Sequence, residues 1–472
     1  MVNRILIRTK VVQMLYSYLL TRTEFKIDTD PDLSSSDKKF AHVAYVDLLM
    51  LLLELTGHSS ENFNKVSRYA IDPKLASSTL GNALSKDMNI RDLMFKASHN
   101  IDKLSPAIQP LHDRIAASNI FTEYRRKRKV DLAAEVTLWS VIFESIIAKD
   151  VKLTEAFRTI PGYTAIGMKM AIAKVIATIK SYEDARSGYY NALKSLDTAL
   201  DKAYELYLSM FVLIVELTQE QERRIEAAKS KYLATSHDLN PNMRFVENRF
   251  AAALAQSEEL AELTKDRAIN WNTDITLLGS LLDSITASAL YKNYMEQPST
   301  DWEKDCDFWR KVMKDIVLTS DELSEALEDM SVYWNDDLSI MGTFVLKTIR
   351  RAGSQDDEKV SFLPKFKDEE DASFGAELFE KSVANREKYR SYIDKFINAS
   401  NWDTDRLAFM DIVIMIVAIA EIIGYPNIPL PVTFNEYIDI ANAYSSPKSG
   451  QFINGILYNV VNYLKEENII AK

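Results

Sequence analysis

The 472-residue sequence is poor in the residues that interrupt helices or build metal and disulfide sites. It contains 12 glycines, 12 prolines, 5 histidines and a single cysteine, Cys306. So few turn-forming residues leave long uninterrupted stretches, which predicts an all-α protein built of helical bundles. One cysteine excludes a disulfide framework and a thiolate metal cluster within one chain. This usage favours a reducing, cytoplasmic compartment.

No segment of the sequence is apolar for long enough to cross a bilayer. The longest apolar run, residues 410–423, is interrupted by Asp411 and Glu421, and we expect it to form a central helix in a globular core. The first ten residues lack the apolar stretch and cleavage site of a secretory signal. The formal net charge of −11 would repel phosphates, so any nucleic-acid site must be a local basic patch.

Motifs for enzymes are missing as well. The sequence contains no Gly-x-Gly-x-x-Gly, no phosphate-binding loop and no His-Glu-x-x-His. The histidines lie far apart without the spacing of metal ligands: His42, His58, His99, His112 and His237. We therefore expect no catalytic residues, no cofactor and no metal site.

A weak internal similarity predicts a tandem duplication. Residues 7–12 recur as 171–176, and residues 41–56 recur as 203–218. Chance likeness between amphipathic helices is the alternative interpretation. We predict four segments: an N-terminal helical unit at 1–163, its second copy at 164–300, a connector with charged loops at 301–371 and a C-terminal helical bundle at 372–472. The second copy replaces Arg8 by Ile172 and Tyr16 by Lys180.

The first predicted helix carries a concentration of positive charge. Arg4, Arg8 and Lys10 all precede the first acidic residue, Glu24. Arg4 and Arg8 are one helical turn apart and share a face. Guanidinium groups suit phosphate because they offer planar, paired donors, although ordinary surface arginines produce the same pattern.

Ordered motifs near the two ends of the chain resemble a known family. The C-terminal motifs are Asn401, Trp402 and Asp403 with Arg406 and Asp411, then residues 435–437, then Lys448 with residues 452–457. The N-terminal motif places Gln13 and Tyr16 after Arg4, Arg8 and Lys10. Together they resemble the NusB family of transcription antitermination factors, which bind a short single-stranded RNA element called boxA.

The resemblance implies an RNA-binding surface and a neighbouring partner-binding surface. The implied RNA-binding residues are Arg4, Arg8, Lys10, Tyr16, Lys448, Phe452 and Asn454. The implied contacts to the ribosomal protein that acts as NusE are Glu421, Asn435 and Glu436. Tyr16 and Phe452 would stack on bases, and the assembly with RNA polymerase would promote read-through of ribosomal RNA operons.

Several of these residues also have a purely structural interpretation. Tyr16 and Phe452 could pack in the core, and Glu436 could complete a capping box with Thr433. Gly455 lies in the middle of a predicted helix, which indicates close approach by another backbone, either from a neighbouring helix or from RNA.

Two other functions compete with RNA binding. A non-catalytic helical scaffold could dock a ribosomal protein or polymerase without binding RNA itself. An RNA-modifying enzyme with a NusB-like domain is disfavoured, because the only cysteine lies between Asp305 and Asp307 rather than after a proline.

The densest basic run, residues 125–129, follows Phe121 and Tyr124. Interleaved aromatic residues would suit an extended RNA path. A solvated helix end or loop is the alternative.

Overall fold

The structure, a computed structural model, describes residues 2–25, 27–60, 65–96, 103–127, 130–232, 235–334, 336–355, 357–399 and 408–472. Within these ranges the chain forms helices and no strand, apart from one isolated bridge between His58 and Val66. The predicted all-α fold is confirmed. Over the same described residues, no helix is both long enough and apolar enough to span a membrane.

The chain divides into two compact units. The first, which we call the terminal unit, combines Met1–Leu19 with Ala192–Lys472, and the second, the inserted unit, is Leu20–Asn191. The first helix, α1 (Arg4–Thr21), therefore contributes most of its length to the unit that contains the C-terminal helices. The four predicted sequence segments have boundaries that differ from those of these units, and they stay a prediction.

The inserted unit is built around one buried helix. Its helices are α2 (Ser36–Thr56), α3 (Pro73–Ala76), α4 (Thr79–Lys86), α5 (Met88–Lys96), α6 (Ser105–Ala116), α7 (Asn119–Arg126), α8 (Leu132–Ser145), α9 (Val151–Arg158) and the first part of α10 (Ala165–Lys229). Ser35 caps the start of α2 by accepting from Lys38 N, and Gly57 ends it with φ of 104°. This left-handed backbone conformation favours glycine.

Helix α10 is the longest of the described helices, with 65 residues. The part after Asn191 belongs to the terminal unit. Tyr207 on this part shares a hydrogen bond with Thr348 at 2.7 Å. In the inserted unit, Tyr45 shares one with Thr178 at 2.9 Å. The two tyrosines occupy matching positions of the predicted repeat, but their threonine partners do not, and the duplication stays a prediction.

The middle of the terminal unit consists of short helices around buried tryptophans, Trp271 and Trp309. These helices are α11 (Ser236–Leu239), α12 (Arg249–Ala255), α13 (Glu258–Thr264), α14 (Ile275–Ala287), α15 (Ala289–Met295), α16 (Trp302–Val312), α17 (Asp321–Met330) and α18 (Leu338–Gly353). A five-residue π-helix, Met313–Val317, follows α16.

The C-terminal bundle surrounds one helix that is buried along its length. Its members are α19 (Glu369–Ala384), α20 (Arg386–Ala399), α21 (Phe409–Gly424), α22 (Leu430–Tyr444) and α23 (Ser449–Glu466). Every residue of α21 from Asp411 to Ile422 is buried, and α19, α20, α22 and α23 pack against it. The predicted central helix is confirmed.

Helix α22 starts earlier than its predicted cap. The helix begins at Leu430 with Pro431 in its first turn, where a proline is favourable because its missing N–H has no helical partner. The predicted capping box of Thr433 and Glu436 is therefore wrong. The Thr433 hydroxyl instead donates to Glu421 at 2.8 Å.

Candidate functional site

Arg8 and Glu421 form a buried ion pair between α1 and α21. Arg8 Nε donates to Glu421 Oε2 at 2.7 Å and its NH2 group donates to Oε1 at 3.0 Å. The two side chains are only 3% and 0% exposed. Thr433 and Tyr437 each donate one more hydrogen bond to the same carboxylate, at 2.8 and 3.0 Å. Both carboxylate oxygens are thus fully engaged inside the protein.

The electrostatics of this cluster follow from its burial. Burial by itself lowers the pKa of Arg8, but the hydrogen bonds and charge of Glu421 outweigh it and hold that pKa above its usual value. Burial beside Glu421 raises the pKa of the Tyr437 hydroxyl well above its ordinary range. Arg8 therefore stays charged and Tyr437 stays a neutral donor.

The other two cations of α1 are paired in the same way. Arg4 Nε lies 2.6 Å from Asp371 and its NH2 group lies 2.9 Å from Glu370. Lys10 Nζ lies 2.8 Å from Asp337 Oδ1 and donates to the carbonyl oxygen of Tyr333 at 3.0 Å. Lys10 is 5% exposed, so its charge is held in the interior.

These pairs correct the sequence-based assignment of the charged residues. Arg8, Lys10 and Glu421 are buried, and carboxylates of the same unit neutralise Arg4, Arg8 and Lys10. None of them offers a free charge at the surface to RNA or to a partner. The sequence carried no sign of this pairing, because Arg8 and its partner are 413 positions apart.

Two contacts define the direction of α1 against α21. Arg8 meets Glu421 near the end of α21, whereas the Tyr16 ring lies 5.4 Å from the Phe409 ring at its start. The helices therefore run antiparallel. Eight residues of helix separate Arg8 from Tyr16, which corresponds to about 12 Å. The predicted site residues consequently fall into two groups at opposite ends of α21.

The group at the start of α21 includes exposed residues. Phe409 is 37% exposed, and Tyr16 is half-buried. Asp411 accepts hydrogen bonds from Ser445 at 2.6 Å and from Ser449 at 3.0 Å, which brings the starts of α21 and α23 together. Lys448, next to Ser449, is exposed at this end of the bundle. The motif residues Asn401, Trp402, Asp403 and Arg406 lie outside the described residues.

The outer face of α23 continues from Lys448. Gln451, Asn454, Gly455 and Tyr458 are exposed along it, with Tyr458 at 62%. Residues 449–465 include no acidic side chain, although the terminal unit as a whole has 33 lysines and arginines against 47 acidic residues. This face is therefore a local exception to a strongly negative surface. The sequence analysis did not include Phe409 or Tyr458 among the RNA-binding residues, although Tyr458 falls on the same helical face as Lys448.

Phe452 does not lie on this face. It is 8% exposed and belongs with Ile453 and Ile456 to the buried side of α23. The prediction that its ring stacks on a base is corrected by this position. The core-packing alternative is confirmed.

The described residues give no packing reason for a glycine at position 455. A Cβ atom built on Gly455 would meet none of them within 4 Å. Glycine within a helix costs about 1 kcal/mol relative to alanine. No described helix approaches this position, and the approach of a ligand stays a prediction.

A groove of about 610 Å³ lies on another side of the terminal unit. Its acidic lining includes Asp336, Glu436 and Asp439, and Ile5, Ile340 and Ile440 provide apolar surface. Glu436 Oε2 is 3.9 Å from Arg8 Nη1, and burial raises the pKa of Glu436. The last of the three predicted partner contacts, Asn435, is exposed on α22.

Comparison with known proteins identifies the C-terminal part of the chain. The model of the NusB family matches residues 340–462, from the start of α18 to the last turn of α23. The inserted unit lies outside the matched residues. No solved structure matches the chain significantly.

Several curated relatives match the same part of the chain, and each is named "Transcription antitermination protein NusB". The Koribacter versatilis protein is 40% identical over 100 residues, which are 21% of this chain and 67% of the relative. The Natranaerobius thermophilus protein is 38% identical over 86 residues, 18% of this chain and 60% of the relative. The Methylacidiphilum infernorum protein is 42% identical over 85 residues, which are 18% of this chain and 55% of the relative.

The chain spans between about half and two thirds of the length of these relatives. Residues 1–339 lie outside the family match. By the family match and by these identities, the chain belongs to the NusB family.

Proposed function

We propose that this protein is a transcription antitermination factor that binds boxA-like single-stranded RNA along the outer face of α23. The observation that supports the proposal most directly is the exposed, acid-free stripe formed by Lys448, Gln451, Asn454, Gly455 and Tyr458. No catalytic role forms part of the proposal.

The chemistry of this stripe suits single-stranded RNA. Lys448 would neutralise one phosphate, and the amide groups of Gln451 and Asn454 can donate to and accept from base edges. Tyr458 would provide a ring for stacking, as would the Tyr16 and Phe409 pair near the start of the helix. Gly455 would allow the RNA backbone to approach α23 closely.

The proposed protein partner is a basic ribosomal protein that acts as NusE. The acidic groove lined by Asp336, Glu436 and Asp439 complements a positively charged partner, and Asn435 stands exposed on the same helix. Binding of RNA and of the ribosomal protein to one unit would raise the effective concentration of each for the other. The resulting complex would act on RNA polymerase during transcription of ribosomal RNA operons.

Quantitative RNA binding tests the proposal. The variant Lys448→Gln, Asn454→Ala, Tyr458→Ala removes the outer-face groups, and Lys292→Gln, Asn293→Ala, Tyr232→Ala removes the same groups from exposed positions elsewhere in the terminal unit. We expect the first variant to lose about tenfold or more in affinity, since one stacked base alone contributes about 1–3 kcal/mol. Equal RNA affinity of both variants and the unaltered protein would exclude this surface.

A scaffold function without RNA binding is the second candidate. It is favoured by the internal pairing of Arg4, Arg8 and Lys10 and by the formal charge of −14 of the terminal unit. Retained binding of the ribosomal protein together with negligible RNA binding by every form would establish the scaffold.

A further inference from the structure

We infer that the inserted unit carries a second RNA-binding surface, which binds the phosphate backbone of RNA independently of the base sequence. This surface, here the basic patch, consists of Lys74, Arg125, Arg126 and Lys127. The inference rests on the proposed function, since it extends the RNA beyond the segment bound by the terminal unit.

The end of α7 presents the cations of the patch to solvent. Phe121 and Tyr124 are 1% and 4% exposed, and their rings stack on each other with centroids 6.1 Å apart. They fix one side of α7 in the core of the inserted unit. Arg125, Arg126 and Lys127 then emerge as exposed residues, whereas Arg128 and Lys129 lie outside the described residues.

Lys74 fixes the backbone of the patch and adds a fourth cation. Its Nζ atom donates to the carbonyl oxygens of Arg125 at 3.2 Å and of Lys127 at 3.0 Å. A cation at this position satisfies the carbonyl groups at the end of a helix, where the helix dipole favours positive charge. Because Lys74 already fulfils that role, helix capping does not account for the exposed guanidinium groups.

Among the described residues, Asp72 forms an ion pair with the patch. Asp72 Oδ2 lies 3.3 Å from Arg125 Nε, with the Arg125 side chain 62% exposed. Asp72 also accepts from Lys74 N at 2.8 Å as the cap of α3. An exposed pair of this kind is weak and screened by salt, so phosphate oxygens can compete for Arg125.

The charge of the inserted unit differs in sign from that of the terminal unit. Residues 20–191 contain 24 lysines and arginines against 21 acidic residues, a formal charge of +3, and the remaining residues carry −14. Such an asymmetry between parts of one chain is typical of proteins that bind nucleic acid through one part. The sequence run 125–129, which supplies three of the four patch residues, is the densest basic run of this unit.

The ligand chemistry follows from what the patch lacks. Its aromatic neighbours Phe121 and Tyr124 are buried, which corrects the expectation that they interleave with the cations as stacking groups. Guanidinium and ammonium groups alone bind phosphates through charge and paired donors. The patch would therefore bind single-stranded RNA of any sequence, and boxA recognition would depend on the terminal unit alone.

RNA length and salt dependence test the inference. The probes are a short boxA-like RNA and the same element within a longer single strand of unrelated sequence. The variant Arg125→Gln, Arg126→Gln, Lys127→Gln removes patch charges, and Lys149→Gln, Lys152→Gln, Lys169→Gln removes three exposed charges elsewhere in the inserted unit. Thermal unfolding verifies that both variants fold like the unaltered protein.

We expect the longer RNA to bind more tightly than the short one to the unaltered protein and to the control variant. In the patch variant this gain should disappear, and the slope of log affinity against log salt should become shallower by about 2, from about 0.7 per phosphate contact. Affinity for the short RNA should stay unchanged.

The possible failures are distinguishable. If the short RNA binds and the longer strand gives no gain, or the patch variant keeps the gain, the inference is overturned while the proposed function stands. If the short RNA does not bind but the longer strand binds through the patch, the proposed function fails and the second surface is real. Equal losses in the patch and control variants indicate a diffuse charge effect and overturn the inference.

Discussion

Arg8 and Glu421 are separated by 413 positions in the sequence and by 2.7 Å in space. Their paired hydrogen bonds join α1 to the central helix of the C-terminal bundle. Most of α1 and the described C-terminal helices thus belong to one compact unit. The pair gives Arg8 a structural role, where the sequence predicted contact with RNA.

Replacement of Arg8 should therefore destabilise the protein. Arg8→Met leaves the Glu421 carboxylate buried without its countercharge, and we expect a loss of about 3–5 kcal/mol in the free energy of unfolding. Chemical denaturation measures it. The matched control is Arg249→Gln, which breaks an exposed pair with Glu358 and should cost less than about 1 kcal/mol.

The double variant Arg8→Met, Glu421→Gln separates pairing from simple loss of packing. It should be less destabilised than the sum of its single variants, because neither charge then remains buried alone. Unchanged stability of Arg8→Met together with weaker RNA binding would contradict the structural role.

Lys10 should control the pH dependence of stability through Asp337. Burial raises the pKa of Asp337 above its ordinary 3.8, and the charge of Lys10 opposes this rise. A carboxyl group whose pKa is raised in the folded protein favours the folded state at low pH. This contribution to the free energy of unfolding is lost as pH increases from the unfolded pKa towards the folded pKa. Lys10→Met removes the opposing charge, so its loss of stability should be largest at neutral pH and shrink in acid.

Denaturant unfolding over a pH series measures this effect. The control is Lys304→Met, whose partner Asp301 forms an exposed pair and which should change stability little at any pH. A stability deficit of Lys10→Met that stays constant, or that grows in acid, would refute the assignment.

Gly455→Ala should affect stability and RNA binding in opposite directions. With no described residue within 4 Å of the new Cβ atom, the alanine should raise the free energy of unfolding by about 0.5–1 kcal/mol, because alanine favours the helix. If RNA approaches the backbone at this position, the same methyl group weakens binding. A gain in stability with unchanged RNA affinity would show that the ligand does not approach Gly455.

The aromatic pair at the start of α21 gives a further prediction. Tyr16→Ala or Phe409→Ala should weaken RNA binding by about 1–3 kcal/mol if a base stacks there. Tyr190→Ala removes a 54% exposed ring on α10 and serves as the control. RNA titrations in which all three variants behave alike would remove the pair from the proposed surface.

The sequence predicted the helical class and the buried central helix because both depend on local pattern. Twelve adjacent buried residues in α21 produce a run that no surface helix would have. The role of Arg8 could not be predicted in this way, since it depends on a carboxylate distant in the sequence. Phe452 was predicted to stack on a base, but it lies on the buried side of α23 with Ile453 and Ile456. Which side of a helix faces the bundle depends on tertiary packing.

Gly455 illustrates a different limit. Its presence in a helix indicated close approach by some other backbone, but sequence cannot distinguish a neighbouring helix from a ligand. Among the described residues no neighbouring helix comes within 4 Å of this position, and ligand contact stays a prediction. The charges of the basic run, in contrast, were visible in the sequence, and the structure added Lys74 and the burial of Phe121 and Tyr124.

Placement of α1 in the terminal unit has a consequence for synthesis on the ribosome. Arg8 emerges long before Glu421, and at about 5–20 residues per second the intervening 413 residues take about 20–80 s to translate. During that interval the nascent first helix lacks the partner that neutralises its buried arginine. The first helix can therefore complete its buried ion pair only after the central helix of the C-terminal bundle has been synthesised.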